Sequence, residues 1–183
     1  MYWSIADMIL DLTQNSIEAH AAEVTLAVSQ EDESRIAVSI SDNGRGMTPD
    51  HLQRALDPFW SEPGKHPGRR VGLGLPFLKQ TVDQTGGTWE IHSEAGVGTE
   101  LSFTLDMTHP DTPPLGDLIS LWVALMCYDR PYELHILRRY RGSGYEVSRS
   151  DLQEALGDIS TISNRRLAAE FLAGAEEELA MPG

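Results

Sequence analysis

The sequence predicts an α/β (α+β) two-layer sandwich, with helices over one face of a sheet and a small C-terminal helix-hairpin-helix appendage. Three observations predict it. Apolar residues recur with helical period in the first twenty positions, and four later runs alternate apolar and polar residues. The elements also come in the order helix, strand, strand, helix, loop, helix, strand, strand, which suits an antiparallel or mixed sheet.

Ile5, Met8, Ile9 and Leu12 stand at i, i+3, i+4 and i+7, so an amphipathic helix runs from residue 4 to about 20, with Ser4 as its cap. Val24, Leu26 and Val28, then Ile36, Val38 and Ile40, alternate on either side of the acidic turn 30–34. Thr48-Pro49 is a cap and first-turn proline for a short helix through Leu56. Residues 57–71 hold three prolines and two glycines and read as loop. Helical spacing returns over residues 72–85 and stops at Gly86-Gly87. Trp89 and Ile91, then Leu101, Phe103 and Leu105, form a hairpin around the turn 94–98.

Residues 1–107 are expected to form one domain, 108–114 a proline-rich linker and 115–183 a small α+β module. Within that module the expectations are an apolar helix near 115–127, a hairpin turning at Gly142-Ser143-Gly144, a helix capped by Ser150 and a last helix over 164–179. Trp122, Leu125 and Met126 need a surface, either the chain's own first domain or a partner.

Charge narrows the partners. Twenty-eight Asp and Glu against fourteen Lys and Arg leave a net charge of −14, which repels phosphate backbones and anionic lipid. Neither part is basic: residues 1–107 carry seven basic and sixteen acidic side chains, and the rest carry seven and twelve. Nucleic acid and membrane are therefore excluded as expected partners. The lone Cys127 excludes an intramolecular disulfide and a cysteine-based metal knuckle, and no apolar run approaches the ~20 residues of a membrane span. A cytoplasmic location is expected.

Four segments carry chemistry. Asp11 and Asn15 lie one helical turn apart and can share a ligand. Asp42-Asn43-Gly44-Arg45-Gly46-Met47 follows a strand, and its two glycines permit close backbone approach, although Asp-Asn-Gly is also an ordinary turn. Gly72-Leu73-Gly74-Leu75 opens a helix whose amides can face an anion, or serves tight packing alone. Gly96-Val97-Gly98-Thr99 turns a hairpin and places a hydroxyl at the start of a core strand. Upstream, Lys65, His66, Arg69 and Arg70 are either a phosphate-facing cluster or a solvated loop.

Together with Asp57-Pro58-Phe59, these segments resemble the N, G1, F, G2 and G3 boxes of the GHKL superfamily, the ATP-binding domain of histidine kinases, gyrase and related ATPases. The resemblance implies the Bergerat fold and ATP with Mg²⁺ as ligands. It implies that Asn15 coordinates Mg²⁺, that Asp42 accepts from the adenine amino group with support from Thr99, and that Gly44, Gly46 and Met47 border the base pocket. Gly72, Leu73, Gly74 and Leu75 would face the phosphates, with Lys65 and Arg70 nearby. Phe59 and the segment to Val71 would form a lid, and Asp11 would orient or deprotonate the attacking water or acceptor. These roles agree with the chemistry: Mg²⁺ takes hard oxygen donors, and a carboxylate accepts but cannot donate.

Three departures qualify that implication. Asp11 stands where many members have the longer Glu, Glu18 where some sensor kinases have Lys, and Arg70 where a glycine is common. The chain opens at the first box, so the expectation is no phosphoacceptor hairpin and no ordinary self-phosphorylation. The six histidines are expected to be structural or solvated. The expected function is Mg-ATP binding with phosphoryl transfer to a separate protein, or slow ATP hydrolysis, in signalling. A non-catalytic ATP-sensing module and an anti-sigma-type serine/threonine kinase share the same pocket. The whole chain is also similar to small stand-alone ATP-binding proteins found beside iron-only hydrogenase genes, which implies a redox or hydrogenase-regulatory partner.

Overall fold

Ser4 starts the first helix by accepting from the Asp7 amide at 3.1 Å, which satisfies one of the donors a helix start leaves open. In this computed structural model, which describes residues 4–57 and 74–181, that helix is α1 (Ile5–Glu18). Its apolar stripe, Ile5, Met8, Ile9 and Leu12, is buried. Strands β1 (Glu23–Gln30) and β2 (Arg35–Asp42) follow as an antiparallel pair, with Val24 opposite Asp42 and Val28 opposite Val38. Their alternating apolar residues all face the helices and are buried.

Thr48 caps α2 (Pro49–Ala55), with proline in its first turn. Helix α3 (Gly74–Thr85) ends before Gly86, whose φ of 68° is left-handed. The hairpin of β3 (Thr88–Glu94) and β4 (Gly98–Asp106) then lays β4 against β2, with Thr99 opposite Asp42.

Helix α4 (Leu118–Met126) is capped by Asp117, and β5 (Glu133–Tyr140) and β6 (Ser143–Ser148) follow. The last helices are α5 (Arg149–Leu156) and α6 (Ile162–Ala180). β5 runs parallel to β1, so the strands form one six-stranded mixed sheet in the order β3-β4-β2-β1-β5-β6. The C-terminal hairpin thus continues the first sheet, and a single apolar core runs from Ile5 to Leu172. Trp122, Leu125 and Met126 are fully buried in it, each contributing about 1.5–3 kcal/mol by leaving water.

Two local expectations need correction. The hairpin turns on Arg141 and Gly142, both at positive φ, because two such residues match the twist of the flanking strands. The cap of α5 is Ser148, not Ser150: Ser148 is the last extended residue, and Asp151 three positions on completes a reciprocal capping box. Helix α6 is held by a part-buried ion pair, Arg138 Nε to Glu176 at 3.1 Å, while Arg138 also donates to Gln30 at 2.8 Å. Tyr145 donates to the same Glu176 carboxylate at 2.7 Å, and burial beside that acceptor pushes its phenol well up from the usual value.

Candidate functional site

Helix α1 presents Leu12, Asn15 and Ser16 to one cavity, joined by its C-cap Ala19, a spacing that keeps them on a single face. Ile40 and Asp42 at the end of β2 form the floor with Ile91 of β3 and Thr99 and Leu101 of β4. The loop after β2 adds Arg45, Gly46 and Met47, α2 adds His51 and Ala55, and the first turn of α3 adds Gly74 and Leu75. The cavity encloses about 900 Å³ including the solvent at its open mouth. Asn15, Asp42, Gly74 and Thr99, from four separate motifs, line it together.

Two glycines make the walls meet. Gly46 has φ 58°, and a Cβ there would lie 1.9 Å from the Glu94 carbonyl oxygen. Gly98 has φ 144°, and a Cβ there would lie 2.0 Å from the Asp42 carbonyl oxygen. The loop is pinned on both sides: Arg45 N donates to Ala19 O at 2.9 Å, and Gly96 N donates to Arg45 O at 2.8 Å. Asn43 Oδ1 accepts from the Ala22 and Glu23 amides at 2.8 and 2.9 Å, tying the loop to the start of β1. Asp42 Oδ1 accepts from Gly44 N at 2.9 Å, which orients the carboxylate and leaves its other oxygen for a further donor.

Asp11 and Gly44 stand beside the lining residues. A Cβ on Gly74 would lie 2.8 Å from Asp11 Oδ2 and 3.3 Å from Asn15 Nδ2, so glycine is what lets α3 start against these side chains. The oxygen-bearing pair Asp11 and Asn15 is hard-donor chemistry suited to Mg²⁺. Among the described residues no cluster of three or more His, Cys, Asp or Glu could hold a metal ion. A cation that leans on one or two side chains and on ligand oxygens fits this donor set. Phe59, Lys65, Arg70, Gly72 and Leu73, and with them the expected lid, lie outside the described residues.

Sequence reasoning missed Arg45, His51 and Ser93. Arg45 and His51 line the cavity; a helix starting seven residues after Asp42 was the available signal for His51. Ser93 accepts from Met47 N at 2.9 Å and contacts Thr99 Oγ1 at 2.8 Å. No local pattern marks it, because its role comes from the strand register.

Residues 4–109, more than half of the chain, match the family described as histidine kinase-, DNA gyrase B- and HSP90-like ATPase. The fold is that of this ATPase family, and the chain belongs to it. The sensor histidine kinase ZraS of Klebsiella oxytoca is 35% identical over 103 residues, covering 55% of this chain and 21% of that protein. A probable C4-dicarboxylate sensor kinase of Bacillus subtilis is 33% identical over 92 residues, covering 50% of this chain and 16% of the relative. The chain thus spans about a fifth or less of the length of these curated relatives. Among solved structures, the N-terminal domain of a DNA repair protein covers 89% of this chain and 58% of its own at a TM-score of 0.55 and 11% identity. That likeness concerns fold alone, and it reaches past residue 109. Among the described residues no helix is long and apolar enough to cross a membrane.

Proposed function

We propose that the cavity binds Mg-ATP and that the chain transfers the terminal phosphoryl group to a separate protein or hydrolyses ATP slowly. The observation that carries this reading is the convergence of Asn15, Asp42, Gly74 and Thr99 on one cavity. Adenine sits over Ile40, Ile91 and Leu101, with its amino group donating to Asp42 and with Thr99 beside it. The phosphates lie toward Asn15 and the first turn of α3, whose open amides and positive dipole favour an anion. Asn15 would hold Mg²⁺, which would supply positive charge to offset that of the phosphates. Asp11, a turn before Asn15, orients the attacking water or acceptor hydroxyl or imidazole and takes its proton.

A second reading, an ATP-sensing module without turnover, is favoured by Asp11: its carboxylate lies against Gly74 beside the cavity wall, on a side chain one methylene shorter than glutamate. Sensing requires that a partner bind the ATP-loaded and empty states with different affinity. The anti-sigma-type serine/threonine kinase uses the same pocket with a hydroxyl acceptor, and a redox or hydrogenase-regulatory protein is the acceptor implied by the looser resemblance.

The test is incubation of the full chain with γ-labelled ATP and cell extract, beside calorimetry with Mg-ATP. Heat of binding that disappears with chelator supports the Mg-ATP reading; its absence rejects it. Label on a protein histidine supports histidine kinase action, label on serine or threonine the third reading, and binding without label or phosphate release the sensor.

A further inference from the structure

Three hydroxyl and amide contacts meet at Ser93. Its Oγ lies 2.9 Å from the Met47 amide, 3.2 Å from the Gly98 carbonyl oxygen and 2.8 Å from Thr99 Oγ1. The amide can only donate and the carbonyl can only accept. A serine hydroxyl has one proton and two lone pairs. One assignment satisfies all three contacts: Ser93 donates to Gly98, accepts from Met47, and accepts from Thr99.

That assignment fixes a neighbour. Thr99 has one proton, and it points at Ser93, so Thr99 Oγ1 meets the cavity as an acceptor. Thr99 is the cross-strand partner of Ser93 on one side and of Asp42 on the other. Directly opposed residues share a sheet face, and Asp42 and Thr99 both line the cavity. Asp42 is also acceptor-only, and its Oδ1 is occupied by Gly44 N. Asp42 and Thr99 therefore offer two adjacent acceptors and no donor to a base placed against them.

We infer that Ser93, which does not line the cavity, is a specificity-determining positioning residue: it holds the Thr99 hydroxyl so that, with Asp42, the wall selects a base edge carrying an amino donor. The inference rests on the Mg-ATP reading and adds to it the group that sets the direction of the hydrogen bonds. A 6-oxo purine presents a carbonyl oxygen directly to the same pair, acceptor against acceptor.

The experiment is calorimetry of the full chain with Mg-ATP and Mg-ITP, which differ in the base edge at issue. Wild type should prefer ATP. Ser93→Ala releases the Thr99 hydroxyl to rotate and donate, so the ATP:ITP preference should fall roughly tenfold, the size of one net hydrogen bond. Ser93→Thr restores the hydroxyl and should restore the preference. Thr99→Val should lose it by a similar factor, and the double variant should lose no more than either single one, because the two act as a unit.

A role in packing alone lowers affinity for both nucleotides equally and leaves their ratio unchanged; that result overturns the inference while the adenine site stands. Additive losses in the double variant overturn it as well. If Ser93→Ala does not fold, Ser93→Thr and Thr99→Val carry the test, and a Thr99→Val protein as selective as wild type overturns it. A wild type that binds neither nucleotide, or both equally, overturns the adenine reading and this inference together.

Discussion

The Tyr128 hydroxyl donates to Glu18 Oε1 at 3.0 Å, joining residues 110 positions apart at the C-terminal end of α1. At the other end of the same helix, the amides of Ile5 and Ala6 donate to the Pro114 and Leu115 carbonyls at 2.8 and 2.9 Å. Gly116, at φ 82°, passes so close to Ser4 that a Cβ would lie 2.5 Å from it. Helix α1, which carries Asp11 and Asn15, is thus fastened at both ends by residues beyond the family match.

Removing one fastening should be felt in the site. Tyr128→Phe leaves the ring in place and deletes the donor, costing about 0.5–1.5 kcal/mol, which for a chain of this size lowers the melting temperature by roughly 2–4 °C per kcal/mol. Mg-ATP affinity should fall as well, because Glu18 lies one turn after Asn15. Glu18→Gln keeps an acceptor and should do less. Thermal melts with and without nucleotide check both; an unchanged melt in Tyr128→Phe shows that the contact adds nothing.

Two glycines at the cavity should fail in different ways. At Gly46 an alanine Cβ meets backbone 1.9 Å away at positive φ, so Gly46→Ala strains the fold itself and should lower stability by several kcal/mol. At Gly74 the nearest obstruction is the end of the Asp11 side chain, which can move, and alanine is the better helix former. Gly74→Ala should therefore fold at least nearly as well as wild type yet bind Mg-ATP more weakly, because Asp11 and Asn15 are displaced. Chemical denaturation beside calorimetry separates the two; equal losses of stability would refute the distinction.

The contrast shows what the sequence could disclose. Period-two alternation placed Val24, Leu26 and Val28 on the buried face, and Thr48-Pro49 marked the start of α2, since both are local rules. The spacing of Asp42, Gly44 and Gly46 likewise reported a strand end and a tight loop. Alternation states which face a residue takes but not which strand lies beside it, so the parallel pairing of β1 with β5 was invisible. Ser93 was missed for the same reason: it matters only because the register sets it opposite Thr99. Ser148 and Ser150 both suit a cap by composition, and the extended backbone at Ser148 and its reciprocal bonds with Asp151 separate them.

Acid should weaken the start of α4. Asp117 accepts from the Ser120 hydroxyl and amide, and these bonds hold its carboxyl below the ordinary value of 3.8. A depressed folded-state pKa stabilises fully above the unfolded value, and that stabilisation is lost as pH falls through the lower folded value. Asp117→Ala should cost about 1 kcal/mol at pH 7. Asp117→Asn keeps an acceptor that does not titrate, so the advantage of wild type over it should shrink below pH 3.8. Urea unfolding of the two proteins at pH 7 and pH 3 measures this; a difference independent of pH assigns the effect to other carboxylates.

Asn15 and Asp11 should part company in kinetics. Asn15→Ala removes the oxygen proposed to hold Mg²⁺ and should abolish Mg-dependent binding. Asp11→Asn keeps the size and oxygen of the side chain but cannot take a proton at neutral pH, so Mg-ATP should bind within about twofold of wild type while turnover drops on the order of 10²–10⁴-fold, the range of a general base. Asp11→Glu adds one methylene to the side chain and should raise turnover if distance from the phosphates limits it. Steady-state phosphate release of Asp11→Asn equal to wild type, both above background, removes Asp11 as the base. Release at background in wild type and variant alike, with intact Mg-ATP binding, instead favours the sensor, because the pocket would then hold the nucleotide without a group placed to activate the acceptor.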